Sequence, residues 1–111
     1  MFKIEKMNNK ITLTRGDHAD LKVLLSDELG DTYEMKKGDY LTFTMKKNIY
    51  DKTISLKKTT FDTPVINFVK ADTNELSFGE YIYDIQLTTA DEEVFTVIPP
   101  SIFVVGEEIT E

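Results

Sequence analysis

Cysteine is absent from this chain and histidine occurs once. Without cysteine there is no disulfide framework, no thiolate metal site and no cysteine nucleophile. One histidine, His18, cannot build a transition-metal site by itself. Long apolar runs are missing too. The opening stretch Met1-Phe-Lys-Ile-Glu-Lys-Met alternates charged and apolar residues, which fits neither a signal peptide nor a membrane span. Basic residues are outnumbered 13 to 20, for a formal net charge of -7. Such a field repels phosphate backbones, so the expectation is no nucleic-acid partner and no membrane. The basic pairs Lys36-Lys37, Lys46-Lys47 and Lys57-Lys58 read as solvated turn or edge positions, because edge strands are commonly guarded by lysine.

Catalytic constellations are equally scarce. None of Ser26, Ser55, Ser77 and Ser101 sits in a Gly-x-Ser-x-Gly elbow. Carboxylates cluster at Asp27-Glu28-Asp31, Asp91-Glu92-Glu93 and Glu107-Glu108-Glu111, but none of these stretches has the spacing of a calcium-binding loop. They read as solvated turns and an acidic tail. Arg15-Gly16-Asp17 spells an adhesion tripeptide, yet its chemistry is that of a tight turn: Gly16 relieves the backbone and Asp17 bonds its own chain. The expectation is a non-enzymatic protein with no catalytic, cofactor-binding or metal-binding residue.

What the chain does have is a core. It is 41% hydrophobic, with 7 Phe and 5 Tyr, enough for one domain spanning residues 1–111 with a frayed tail over 106–111. A chain of this size buries roughly two-thirds of its unfolded surface. The strongest pattern runs from Gly79 to Thr88. Tyr81, Tyr83, Ile85 and Leu87 share one face, while Glu80, Ile82, Asp84, Gln86 and Thr88 share a mostly polar one, as in a central, half-buried strand. Tyr81 and Tyr83 fit the tyrosine that ties its hydroxyl to upstream backbone at a strand corner. Asp72-Thr73-Asn74-Glu75 has the spacing of a capping box and predicts one helical turn.

The same alternation predicts a hairpin over the first fourteen residues, turning at Asn8-Asn9, or one edge strand broken by a bulge. It places Leu21, Val23 and Leu25 on one face, and Leu41, Phe43 and Met45 on the apolar face of Tyr40 to Lys47. Tyr33 with Met35 and Ile54 with Leu56 suggest short strands, and Lys58 to Pro64 a polar connection. Ile66 and Phe68 point inward from Val65 to Val69. Val94 to Ile98 and Ile102 to Val105 read as two strands broken at Pro99-Pro100, since proline donates nothing to a ladder. Lys37-Gly38-Asp39 and Ala90-Asp91-Glu92 are turns. About eight short strands at roughly ten-residue spacing give an all-β sandwich or barrel. Tyr33, Tyr40, Tyr50, Phe61 and Phe78 fall near strand ends; a planar exposed row of them would suit a carbohydrate-binding module, the alternative reading.

Three segments carry a resemblance: Ile11-Thr-Leu-Thr-Arg-Gly-Asp17, Lys37-Gly-Asp-Tyr-Leu-Thr-Phe-Thr-Met45, and Asp72 through Leu87 with its Gly79-Glu-Tyr-Ile-Tyr-Asp84 core. Their order and spacing resemble the N-terminal, immunoglobulin-like domain of phage baseplate upper proteins and related short prophage proteins. The resemblance implies an immunoglobulin-like antiparallel β-sandwich and a tail- or baseplate-associated structural protein of the virion. It implies assembly with other virion proteins and a homo-oligomer, synthesis in the bacterial host cytoplasm, and no cofactor. Gly16, Asp17, Gly38, Asp39, Asp72, Gly79, Tyr81, Tyr83 and Asp84 are the positions that match, as structural motifs. Baseplate upper proteins continue into long helical regions, whereas this sequence ends at Glu111, which suggests a stand-alone version of the domain.

Overall fold

The computed structural model describes residues 2–4, 9–26 and 29–107, with no side-chain description for 2–4. The regular structure of the described residues is almost entirely β. The strands are β1 (Phe2–Ile4), β2 (Ile11–Thr14), β3 (Ala19–Lys22), β4 (Tyr40–Lys46), β5 (Leu56–Phe61), β6 (Val65–Phe68), β7 (Gly79–Thr88) and β8 (Val94–Gly106), with one short helix, α1 (Lys70–Thr73). Six strands form one sheet in the order β1-β2-β8-β7-β4-β5, and β3 pairs with β6 in a second.

The two sheets face each other across one core, because each strand buries every second residue. Phe43 of β4 stacks on Tyr83 of β7 at 5.3 Å between ring centroids, and meets Phe68 of β6 edge-on at 5.2 Å. Phe68 also packs on Phe103 of β8 at 5.8 Å, so this ring cluster joins both sheets. All twelve residues picked out on apolar faces from Leu21 to Leu87 are buried there, joined by Ile11, Leu13, Phe103 and Val105.

Several expectations are corrected. The six-stranded sheet is mixed, because β2 runs parallel to β8 with Ile11 opposite Phe103, so the fold is not purely antiparallel. β7 and β8 are long, at 10 and 13 residues, rather than short. Pro99-Pro100 does not split β8. The strand runs through, and the prolines occupy the register shift where β7 and β8 fall out of step between Tyr83 and Ile85. A bulge is where a ladder tolerates a missing donor. Tyr33 and Met35 form no strand, but pack half-buried against the core. The fifth strand is Leu56–Phe61, so Ile54 lies outside it and the supposed polar connection is mostly strand. The N-terminal hairpin forms with Ile4 opposite Ile11, which requires a connection longer than two residues. Asn9 has a positive φ of 57°; Asn8 lies outside the described residues, as do Asp27, Glu28 and residues 108–111.

The turn before β8 follows from its backbone bonds. Glu92 N–H donates to Thr89 C=O, and Thr89 N–H donates to Glu93 C=O. With Glu92 at φ 67°, this is a type I turn closed by a left-handed residue, the common three-residue hairpin loop.

Candidate functional site

The nine motif residues do not converge on one site. Most of them pin separate crossings. Gly16 adopts φ +84° and donates its N–H to Thr73 Oγ1 at 2.8 Å, while Asp17 N–H closes the turn onto Thr14 C=O. That ties the start of the chain to α1, and Thr73 is fully buried to receive it. Asp72 is the third residue of α1 rather than its cap. Its carboxylate accepts the N–H of Val69 at 2.8 Å and the ammonium of Lys58 at 2.6 Å. The helix therefore starts earlier than the spacing suggested. Gly79 enters β7 at φ +132°, which only glycine adopts readily. Tyr81 donates its hydroxyl to Ser77 C=O at 2.7 Å, the corner bond expected of it. Tyr83 instead reaches Asn9 C=O at 2.5 Å, and burial pushes its phenol well above the usual range.

Asp39 is the most connected of them. It is 2% exposed and stands at the foot of β4. One carboxylate oxygen accepts the Tyr33 hydroxyl at 2.6 Å and the Lys36 N–H at 2.9 Å; the other accepts the Ala90 N–H at 3.1 Å. The backbone N–H of Lys36 and then the Tyr33 hydroxyl hold its carboxyl below the usual carboxylate range, against the opposing effect of burial. The Tyr33 phenol is raised, chiefly by the same hydrogen bond. Gly38, beside it at φ +95°, leaves no room for a side chain: a Cβ would stand 2.9 Å from Cβ of Ala90. This cluster clamps the 33–39 segment to the turn that begins β8.

Two clefts stand out on the surface of the described residues. The smaller, about 220 Å³, lies on the outer face of the large sheet between Thr44, Lys46, Asn48, Ile82, Asp84 and Pro100. Asp84 is half-buried there, and desolvation raises its carboxyl while Lys46 pulls it back. The larger, about 810 Å³, opens where the clamp of Asp39 ends. Leu24, Leu25, Leu29 and Tyr33 form one wall, Leu87, Phe95 and Val97 the other. Leu24 and Leu29 are 85% and 86% exposed, and Phe95 is about half exposed. This gathering of uncovered apolar side chains is the most unusual surface feature among the described residues.

The other exposed aromatics are scattered. Tyr50 lies in the loop after β4, Phe61 ends β5 against Tyr40 at 5.2 Å between ring centroids, and Phe78 sits under the Arg15 guanidinium at 4.1 Å. They form no row on one sheet. His18 is exposed, and no three histidine or carboxylate side chains among the described residues gather as a metal site. No helix of the described residues is long and apolar enough to cross a membrane.

No known family matches this chain, and no curated protein or solved structure is significantly similar to it. The large cleft escaped the sequence reading because its walls come from segments far apart in the chain. The one local signal was Val94-Phe95, an apolar pair directly after an acidic turn.

Proposed function

We propose that the protein is a non-enzymatic assembly module of a phage or prophage virion, associated with the tail or baseplate, which binds neighbouring virion proteins through sheet edges and loops. The observation that carries this reading is a contrast. Asp39, Asp72 and Tyr81 are occupied by bonds within the fold itself, while uncovered apolar surface collects around one cleft. A site built for chemistry needs free, convergent polar groups; a docking surface needs apolar area.

An immunoglobulin-like sandwich is supported by the strand partition. β3 with β6, and β4 with β7 and β8, match the B–E and C–F–G grouping of that architecture, and Tyr81 supplies the tyrosine corner. The place in a virion rests on the resemblance of the three segments to baseplate upper proteins, and with it the homo-oligomer and synthesis in the host cytoplasm. The scattered aromatics count against the carbohydrate-binding alternative, which needs a flat stacking platform.

The test is solution mass by light scattering across a concentration series, together with co-expression beside the proteins encoded next to it. A defined ring or a stable co-complex is expected. A strict monomer that associates with none of those neighbours contradicts the proposal.

A further inference from the structure

Strand β8 is paired along its whole length on one side only. On the β7 side its ladder runs from Val94 to Val105, with register shifts at Val97 and at Pro99-Pro100. On the other side β2 covers Phe103 to Gly106, and among the described residues no strand pairs with β8 between Val94 and Ile102. The hairpin bond from Thr89 N–H to Glu93 C=O fixes the phase. In an antiparallel ladder the bonded pairs alternate, so Leu87 opposite Phe95 is the next bonded pair, and the N–H and C=O groups of Val94 and Thr96 face outward. This bare stretch carries no charge, and its Phe95 and Val97 line the large apolar cleft opposite Leu24 and Leu29.

We infer that this edge is a strand-addition site. Its occupant is an extended segment of a different protein, with apolar residues at alternate positions and lysine or arginine beside them. Main-chain bonds to Val94 and Thr96 would supply affinity, and the cleft would take the alternate side chains. The basic requirement comes from charge: Asp91-Glu92-Glu93 is exposed and runs directly into the edge, on a chain of net charge -7. A second copy would bring another acidic run and another -7 to the same strip, which opposes pairing. The inference deepens the assembly reading by naming its surface and its partner's chemistry, and does not depend on the virion.

The test uses a synthetic peptide with two lysines on either side of a Val-Thr-Val-Thr-Val repeat, titrated into isotopically labelled protein and followed residue by residue by NMR. Lysines at both ends serve either strand direction. Shifts are expected at Val94 to Ile98 and at Leu24, Leu25 and Leu29, with slowed amide exchange at Val94 and Thr96. Thr96→Pro removes an outward donor that the fold does not use, and should weaken binding about tenfold or more. Leu24→Ser, at an exposed position, should weaken it several-fold without touching the fold. A peptide with glutamates in place of the lysines should bind about tenfold less tightly at low salt, with the difference shrinking as salt rises. No binding, shifts centred on β5, equal binding of the two peptides, or binding indifferent to Thr96→Pro would each overturn the inference. So would exchange at Val94 and Thr96 that slows with protein concentration alone, since that assigns the edge to a second copy. The assembly reading is judged separately by solution mass and co-expression, so either can fail alone.

Discussion

Among the bare edges that the described strands leave on the large sheet, β5 and the first half of β8 are built oppositely. β5 carries Lys57 on its outer face and Lys58 on its inner one. Lys58 crosses the Phe68 ring, donates to Asn67 C=O and pairs with Asp72, so a cation is held just where another strand would approach. Lysines and inward-pointing charges are the usual devices that keep an edge single. The Val94–Ile98 stretch carries no charge, is interrupted only by a bulge at Val97 with Pro99-Pro100 following, and opens onto apolar side chains. The same sheet thus protects one edge and leaves another ready for covering. On the proposed reading, the difference separates a surface kept for solvent from one kept for a partner.

The largest effect should come from breaking the clamp beside the open edge. Asp39→Ala strips the Tyr33 hydroxyl and the Lys36 and Ala90 N–H groups of their shared acceptor. A loss of about 3 kcal/mol is expected, read as a lower denaturation midpoint at unchanged slope. Exchange should rise around Tyr33 and Ala90 before it rises in β5. Acid should act the same way. The folded carboxyl of Asp39 lies below its unfolded value of about 3.9. Its stabilisation is therefore complete above that value and lost as pH falls through the folded one. Asp84 has the opposite sign. Its raised carboxyl favours folding below the unfolded value, and that contribution is lost as pH rises through the folded one. A stability profile of Asp39→Ala that still falls as steeply below pH ~4 as the parent's would contradict the assignment.

Gly38→Ala attacks the same clamp from the backbone. It adds a Cβ against Ala90 at a positive φ and should cost about 1–3 kcal/mol by thermal melting. Lys58→Met turns to the guarded edge. It removes a half-buried ion pair with Asp72 and should cost about 1–2 kcal/mol. It should also let β5 self-associate, visible as a mass that grows with concentration. A variant that stays monomeric would mean the lysine is not a guard. Glu92→Gly should be the smallest change and the only favourable one. It relieves a left-handed residue in the hairpin loop for a gain of about 0.5–1 kcal/mol, while removing one carboxylate of the acidic run beside the β8 edge.

How much of this was legible in the residues depended on contrast. β7 announced itself because Tyr81, Tyr83, Ile85 and Leu87 alternate with polar partners, and it does lie inside the sheet. The turn glycines Gly16, Gly38 and Gly79 all take positive φ. β5 was misplaced because Leu56-Lys-Lys-Thr-Thr-Phe61 has little apolar contrast, as an edge strand needs little. The parallel seating of β2 on β8 left no mark, since period-two alternation looks the same in either direction. β8 was cut in two because proline signals a break, and only the neighbouring strand reveals a bulge. Asp39 was visible as a turn residue, but its role as a hub needed Tyr33 and Ala90 brought to it by the fold. The cleft was not legible at all, being a relation between residues 24–33 and 87–97.

The central claim is that the first half of β8 presents an unoccupied edge. Residue-resolved amide exchange on the free protein, in a sample shown to be monomeric, tests it most directly. The account predicts a protected Phe95 flanked by fast-exchanging Val94 and Thr96. Slow exchange at all three in the monomer would mean that the edge is already covered, and would contradict it.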